Sequence, residues 1–268
     1  MGEAKAAGTA GALVEVEHDG PVARVWFNRP AVHNALSAAL GEALLAALRA
    51  LAHDAGCRVV VLGGRGPSFC AGADIGAMRA SAGAPFEANL AEAEGLARVF
   101  AAVAEFPRPV VGRVHGGVYG GGVGFCCACD VAVAADDARF GLTEVRLGIL
   151  PALISPYVLR RLGDRHAREL MLTGERFGAA EALRRGIVDH VAPAAELDAA
   201  VAARVDALLP GGPQAQHRIK TLLARWADTP WEEYRSTLPR TLAEARGGDE
   251  AREGLGAFLD KRKPGWTG

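Results

Sequence analysis

The stretch Ser68-Phe69-Cys70-Ala71-Gly72-Ala73-Asp74-Ile75 follows an uninterrupted apolar run at residues 59–62 and a glycine-rich loop at residues 63–67. Such an apolar run is typical of a strand that is buried on both faces of a sheet. A glycine-rich loop at the end of the strand lets the backbone come close to a ligand or to another backbone segment. The sequence therefore predicts a candidate site at this strand end.

The residues before this stretch predict a hairpin and a helix. Short alternating runs at 13–17 and 22–27 flank the turn sequence Asp19-Gly20-Pro21, which is typical of two adjacent strands. Ser37 is a suitable N-cap for a helix that ends before Gly56 and whose leucines recur at helical spacing. These leucines are Leu40, Leu44, Leu45, Leu48 and Leu51. We expect this face of the helix to pack inward.

The residues after the stretch repeat the order of strand, glycine-rich loop and helix. The predicted elements are a variable segment at 76–85, a helix at about 88–105, a strand at 110–114, a loop with six glycines at 116–124, a short helix at 125–129 and a strand at 131–133. This alternation predicts an α/β fold. From Ser155 onward the pattern is almost entirely helical, and we place a boundary near residue 200, between a core at 12–200 and a helical region at 201–268.

Two glycine-rich loops, each between a strand and a helix, offer backbone N–H groups that could hold an anion or a developing oxyanion. No Gly-Lys-Ser/Thr completes a phosphate loop, and the third glycine of a dinucleotide fingerprint falls on Phe125. Ser68 lacks the closing glycine of a nucleophile elbow and has no evident histidine partner. Cys126 and Cys129 lie in apolar sequence without a second ligand pair, so we expect no metal site.

Composition narrows the function classes further. The 268 residues are 50% hydrophobic and 23% charged, with a formal net charge of -1, which argues against nucleic-acid binding through phosphates. Five cysteines, an odd number in apolar surroundings, favour a reducing compartment, and we expect a cytoplasmic protein. Residues 1–11 are predicted to form a disordered tail, and no segment approaches the ~20 apolar residues that cross a membrane.

Five motifs occur together in a specific order. They are Phe27-Asn28-Arg29-Pro30 with His33-Asn34-Ala35-Leu36, the stretch 68–75, Gly120-Gly121-Gly122 with Cys129-Asp130, Phe140-Gly141 with Glu144-Val145-Arg146-Leu147-Gly148, and Phe258-Leu259-Asp260-Lys261-Arg262-Lys263-Pro264. In this order and spacing the chain resembles the enoyl-CoA hydratase/isomerase (crotonase) family over residues 12–264.

The resemblance implies a crotonase-like spiral of repeated strand-strand-helix turns and a C-terminal helical trimerisation region, with a homotrimer or homohexamer as the assembly. It implies an acyl-CoA thioester substrate, with coenzyme A as part of the substrate and no separate cofactor. Ala71 and Gly121 would donate backbone N–H groups to the thioester oxygen, and Glu144 would act as acid/base. Coenzyme A would lie along Ala35, Ala73, Asp74, Ile75 and Lys261.

The chain departs from the family pattern at Gly124, where hydratases carry a second glutamate that holds water. A single Glu144 leaves three alternatives: hydration, double-bond isomerisation, or a non-catalytic or RNA-binding relative. The segment 150–158, Leu-Pro-Ala-Leu-Ile-Ser-Pro-Tyr-Val, is a second departure from the usual family pattern, and it resembles methylglutaconyl-CoA hydratases and relatives of leucine and terpenoid breakdown. We therefore favour hydration, with Gly124 making room in the substrate pocket for a branched or carboxylated acyl group.

Overall fold

The structure is a computed structural model that describes residues 11–267, with a six-stranded sheet in the order β1-β2-β3-β5-β7-β10 and a four-stranded sheet in the order β4-β6-β8-β9. The strands are β1 Val14–Asp19, β2 Val22–Phe27, β3 Val59–Gly64, β4 Ser68–Cys70, β5 Val110–Val114, β6 Gly117–Tyr119, β7 Val131–Ala135, β8 Arg139–Gly141, β9 Arg176–Gly178 and β10 His190–Ala192. Apart from Gly11, the tail predicted at 1–11 lies outside the described residues.

Ten α-helices connect and cover the sheets within the described residues. They are α1 Ala38–His53, α2 Ile75–Ser81, α3 Phe86–Ala104, α4 Gly121–Ala128, α5 Ser155–Thr173, α6 Ala179–Arg185, α7 Leu197–Leu208, α8 Pro213–Asp228, α9 Trp231–Arg246 and α10 Asp249–Leu259. In the part of the chain that the structure describes, no helix is long and apolar enough to cross a membrane.

The chain forms a spiral. Each turn adds one strand to each of the two sheets, and helices then lead the chain back to the first sheet. β3 and β4 precede α2 and α3, β5 and β6 precede α4, and β7 and β8 precede α5. The pairs β3–β5, β5–β7, β4–β6 and β6–β8 are all parallel, whereas β1–β2 and β8–β9 are antiparallel. The α/β crotonase-like fold expected from the sequence is confirmed.

β3 is buried on both faces, which explains its continuous apolar sequence. Val60 and Leu62 pack into the main core with α1 and α3, while Val59 and Val61 pack against α7 on the opposite face. The N-cap of α1 also forms as predicted, since the Ser37 hydroxyl accepts a hydrogen bond from the amide of Leu40 at 3.3 Å. The leucine face of α1 is buried in the core.

Three sequence-based boundaries differ from the structure. The short helix predicted at 125–129 begins at Gly121 in the structure. The sequence pattern did not indicate the first turn because that turn contains glycines, which are poor helix formers. The variable segment at 76–85 contains most of α2, which Asp74 caps by accepting from the amides of Gly76 and Ala77. Residue 200, the predicted boundary, lies inside α7, and α8 to α10 begin at Pro213. The division into two regions stays a prediction.

Asn34 anchors the loop between β2 and α1 to the loop between β3 and β4. Its side chain is fully buried and its backbone is left-handed, with φ of 56°. Its Oδ1 accepts from the amide of Arg29 at 2.8 Å, and its Nδ2 donates to the carbonyls of Arg65 at 2.9 Å and Ser68 at 2.7 Å. One side chain thus satisfies three backbone groups next to β4.

We predict that Asn34→Gly lowers the free energy of unfolding by about 3 kcal/mol, because it leaves these backbone groups without partners while keeping a residue that adopts positive φ. Asn28→Ala is the control, since Asn28 is only partly buried. Urea unfolding of both variants measures the difference. Equal losses would contradict a special role for Asn34.

Candidate active site

Three predicted site residues follow the carboxyl ends of three neighbouring strands in the smaller sheet. Ala73 follows β4, Gly121 follows β6, and Glu144 follows β8, and these strands are adjacent in the order β4-β6-β8. Because the strands are parallel, their carboxyl ends lie at the same edge of the sheet. Ligands of parallel α/β sheets bind at this edge. The sequence thus brings two backbone amides and one carboxylate together by topology alone.

The loop after β4 and the start of α4 are in direct backbone contact. A Cβ atom on Gly72 would lie 2.9 Å from the carbonyl oxygen of Tyr119, and one on Gly122 would lie 2.2 Å from that of Cys70. Gly72 also has φ of +91°, which favours glycine. No side chain could be added at either position without moving the backbone. The glycines therefore fix how close the two segments come.

The amide of Ala71, predicted to bind the thioester oxygen, already has an acceptor. It donates to the carbonyl of His33 at 2.9 Å, so this part of the prediction is wrong. Ala73 lies two residues further along the same loop. Its parallel bridge with Leu36 uses the carbonyl of Gly72 and the amide of Asp74, which turns the amide of Ala73 away from Leu36. Ala73 also lines the cavity at the strand ends.

Gly121 is the first residue of α4, and it also lines this cavity. The first amides of a helix have no acceptor within the helix, and the helix dipole makes this end partly positive. The first α-helical bond in α4 runs from the amide of Gly124 to the carbonyl of Gly120, which leaves the amide of Gly121 outside the helix ladder. Gly121 can therefore donate to an oxygen that gains negative charge.

Glu144 presents a carboxylate to the same place. A Cβ atom on Gly120 would lie 2.9 Å from Oε1 of Glu144, so the carboxylate packs directly on the backbone that precedes Gly121. Its Oε2 is buried and has no hydrogen-bond partner among the described residues. Burial raises the pKa of Glu144 above its ordinary value. A carboxyl group in this state is suited to exchange a proton with a bound molecule.

The space in front of these groups is a cavity of about 410 Å³, which we name the strand-end cavity. The loops at the strand ends form one wall, and the other walls are α2, one face of α3 and the segment before α5. Most of its lining is apolar. Among the described residues that line it, Glu92 and Glu144 are acidic and none is Lys, Arg or His.

Gly124 does not line the strand-end cavity, and the expected room beside it is absent. A Cβ atom on Gly124 would lie 2.2 Å from Cγ2 of Ile154 and 3.1 Å from Cε1 of Phe100. Ile154 is 3% exposed and lines the strand-end cavity instead. The assignment of Gly124 to the substrate pocket is therefore wrong, because the side chain of Ile154 fills that space.

The remaining predicted contacts divide into two groups. Ile75 lines the strand-end cavity, as Ala73 does. Asp74 instead caps α2 and forms an ion pair with Arg29 at 3.0 Å. The hydrogen bond that Asp74 accepts from the amide of Ala77 is the main cause that lowers the pKa of Asp74. Ala35 is buried, with its carbonyl accepting from Arg29 at 2.6 Å. Neither Asp74 nor Ala35 lines the strand-end cavity.

Lys261 also lies outside the lining of the strand-end cavity. Its C-terminal segment is held by Arg58, which donates to the carbonyl of Trp266 at 2.5 Å. Arg58 precedes β3, whereas the strand-end cavity lies at the opposite, carboxyl ends of the strands. A contact between Lys261 and coenzyme A bound in the same chain therefore has no support from this geometry.

Comparison with known proteins agrees with this arrangement. The family described as enoyl-CoA hydratase/isomerase matches residues 17–268. The chain belongs to the enoyl-CoA hydratase/isomerase family. The structure of an enoyl-CoA hydratase from Shewanella pealeana ATCC 700345 is 37% identical, with a TM-score of 0.91 over 95% of this chain and 96% of that chain.

Two further relatives are similar in the same degree. The structure of Pseudomonas aeruginosa AtuE is 38% identical, with a TM-score of 0.91 over 96% of this chain and 100% of that chain. The enoyl-CoA isomerase/hydratase fer4 of Mycosarcoma maydis is 32% identical and covers 97% of this chain and 99% of its own. This chain is accordingly an enoyl-CoA hydratase in the general sense of the family, and an acyl-CoA thioester is its expected substrate.

Sequence reasoning missed three features of this enoyl-CoA hydratase/isomerase site. It assigned Ala71 to the thioester oxygen and Ala73 to coenzyme A, without the bond from the amide of Ala71 to His33 and the bridge from Ala73 to Leu36. It did not connect Gly124 with Ile154, although both depart from the family pattern. It also left out the face of α3 that lines the strand-end cavity through Asn89, Glu92, Ala93, Leu96 and Phe100. The helical spacing of these residues was the available signal.

We predict that Glu144→Gln lowers turnover of the enoyl-CoA substrate by about 10²- to 10⁴-fold, because the amide cannot exchange the proton. Glu94→Gln is the matched control, since Glu94 is exposed on α3 and outside the strand-end cavity. Steady-state kinetics of both variants measure the effect. Comparable activity of the two variants would contradict the assignment.

The same substitution has an expected effect on stability. The raised pKa of Glu144 means that the folded protein favours the protonated carboxyl group. Its contribution to stability is therefore greatest below the ordinary value of 4.5 and is lost as the pH rises through the raised value. We expect Glu144→Gln to gain stability relative to wild type as the pH increases, as measured by urea unfolding at several pH values.

The amide of Gly121 is tested by a pair of substitutions. Gly121→Ala keeps the amide, and its Cβ would lie 3.4 Å from the Phe100 ring, an ordinary contact. Gly121→Pro removes the amide at a helix position that tolerates proline. We predict that the proline variant loses about 10²- to 10³-fold in turnover relative to the alanine variant. Thermal unfolding of both variants checks that each is folded, and equal turnover would exclude the amide as a donor.

Proposed function

We propose that this enzyme adds water across the 2,3-double bond of an enoyl-CoA thioester, with Glu144 as the acid/base and the amides of Ala73 and Gly121 as the donors to the thioester oxygen. The proposal is supported by the buried Oε2 of Glu144, which has no hydrogen-bond partner in the described part of the chain. Glu144 lines the strand-end cavity together with Ala73 and Gly121. The alternative donor, Ala71, is excluded because its amide bonds to His33.

The proposed step uses one carboxylate twice. Glu144 takes a proton from water while the water oxygen bonds to C3, and the electrons of the double bond move to the thioester oxygen. The two amides stabilise the negative charge on that oxygen, for which removal of one comparable donor costs roughly 3 kcal/mol. Glu144 then returns a proton to C2, so that one water molecule has been added. No cofactor beyond the coenzyme A of the substrate takes part.

Double-bond isomerisation is the second candidate, and Ile154 favours it. Where a second carboxylate would hold water, the space beside Gly124 contains the Ile154 side chain. A single Glu144 could move a proton from C2 to C4 of a 3-enoyl-CoA through the same enolate. The two reactions share the amides and Glu144, and they differ only in whether water enters.

A branched or carboxylated acyl group, such as that of 3-methylglutaconyl-CoA, was expected from the segment 150–158. The apolar lining of the strand-end cavity supports a branched chain. A carboxylated chain lacks support, because no cationic side chain of the described residues lines the strand-end cavity while Glu92 and Glu144 do. A buried carboxylate without a cationic or hydrogen-bonding partner is costly.

We also propose a homotrimer or homohexamer, built through the C-terminal helices. Their support is a set of large apolar side chains that are exposed in the single chain, including Leu223 at 62%, Phe258 at 80% and Leu259 at 77%. Exposed apolar surface of this kind is typical of a protein interface. Light scattering of the purified protein would test the assembly. Cytoplasmic location is proposed on the five cysteines, which are buried and unpaired.

The test of function is product analysis by mass spectrometry with crotonyl-CoA, 3-methylglutaconyl-CoA and a 3-enoyl-CoA. We predict that wild type adds the mass of water to a 2-enoyl-CoA and that Glu144→Gln does not. Reaction of the 3-enoyl-CoA alone, without added mass, would establish isomerisation instead. Absence of any reaction would leave the non-catalytic alternative.

The double variant Gly124→Glu with Ile154→Ala separates the two candidates further. Gly124→Glu alone would overpack against Ile154, at a cost of about 1–3 kcal/mol in stability. With Ile154 shortened, the new side chain has space beside α4. An increase in hydration of crotonyl-CoA in the double variant is expected if water positioning limits the reaction.

A further inference from the structure

One carboxylate of the strand-end cavity has no part in the proposed reaction. Glu92 lies on α3, and its Oε2 accepts a hydrogen bond from the hydroxyl of Ser81 at the end of α2. Both side chains line the strand-end cavity. Asn89 lines it one turn before Glu92, and the two residues are neighbours on the helix surface. This polar group interrupts a lining that is otherwise mostly apolar.

The distance of this group from the reacting carbons follows from helix geometry. Phe100 packs beside Gly121, since a Cβ atom there would lie 3.4 Å from its ring. Glu92 is on the same face of α3, and the rise between the two residues is about 12 Å. An extended carbon chain of about ten bonds spans that length. Glu92 therefore stands where the far end of a medium-length acyl chain would reach.

The free hydrogen-bonding atoms define the group that would fit. Ser81 occupies Oε2 of Glu92, which leaves Oε1 as an acceptor. Asn89 Nδ2 bonds to the carbonyl of Ala84 at 3.3 Å and carries a second hydrogen. A hydroxyl group can donate to Glu92 and accept from Asn89. A methyl group would satisfy neither, and a carboxylate would be repelled by Glu92.

We propose that Glu92, supported by Ser81 and Asn89, selects acyl-CoA substrates whose chain carries a hydroxyl group near its far end. The proposal rests on the proposed function, because it assumes that the strand-end cavity holds the acyl chain. It makes Glu92 a specificity-determining residue rather than a catalytic one. The competing role for Glu92 is purely structural, as a link between α2 and α3 through Ser81.

The experiment uses saturated acyl-CoA esters, which bind without reacting. Calorimetry would compare chains of equal length that end in a methyl group, a hydroxyl group or a carboxylate, in a series around ten carbons. We expect wild type to bind the hydroxylated ester about ten- to a hundredfold more tightly than the methyl ester, and the carboxylated ester most weakly. Glu92→Leu should remove the preference for the hydroxyl group, and Glu92→Gln should weaken the exclusion of the carboxylate.

Glu94→Gln, on the exposed side of α3, should keep the wild-type order of affinities. If every ester binds with equal affinity, or if the Glu92 variants keep the wild-type preference while losing stability, Glu92 is only a structural link. If no acyl-CoA binds, the proposed function itself fails. Urea unfolding of Glu92→Leu beside Ser81→Ala measures the structural contribution separately from ligand preference.

Discussion

Direct contact between two backbone segments determines the geometry at the carboxyl end of the smaller sheet. A side chain at Gly72 or Gly122 would collide with the carbonyls of Tyr119 or Cys70, so the loop after β4 and the start of α4 meet without side chains between them. The separation of the Ala73 and Gly121 amides is consequently set by the main chain. Donors that are fixed in this way need no rearrangement when charge develops on a bound oxygen, which is the condition for electrostatic preorganisation.

The sequence predicted the elements whose patterns are long and failed where the pattern is short. The hairpin of β1 and β2, the capped α1 and the doubly buried β3 all have enough residues for a period to be counted. β4, β6 and β8 have three residues each, which is too few, and they carry the site. Family resemblance supplied these strands and Glu144. It pointed to the amide of Ala71, which donates to the carbonyl of His33, because contacts between distant residues, such as this bond and the bridge between Leu36 and Ala73, are not visible in the sequence.

Gly124 and Ile154 depart from the family pattern at separate places in the sequence, but they pack directly against each other in the structure. Without a side chain at Gly124 a void would remain beside α4, and a void in a protein interior lowers stability. Ile154, from the segment before α5, fills it and is itself almost fully buried. Where hydratases of the family carry a glutamate, this chain has Gly124 and the apolar side chain of Ile154, which lines the strand-end cavity. Because the two residues come from different elements, neither alone shows that the space is closed, and the idea of an enlarged pocket fails for that reason.

The two glutamates of the strand-end cavity have opposite surroundings, and this difference separates their chemistry. Glu144 packs on the backbone of Gly120, has one oxygen without a hydrogen-bond partner among residues 11–267, and has its pKa raised by burial. Such a group gains from taking up a proton, so it suits proton exchange at the reacting carbons. Glu92 has one oxygen bound to Ser81 and therefore presents its other oxygen in a fixed direction. A directional acceptor distinguishes ligands that can donate from those that cannot, since an unmatched polar group loses its hydrogen bond to water on binding. In this proposal Glu144 acts on the reacting carbons at one end of the strand-end cavity, and Glu92 on α3 recognises the far end of the acyl chain. No cationic side chain of the described lining neutralises either carboxylate.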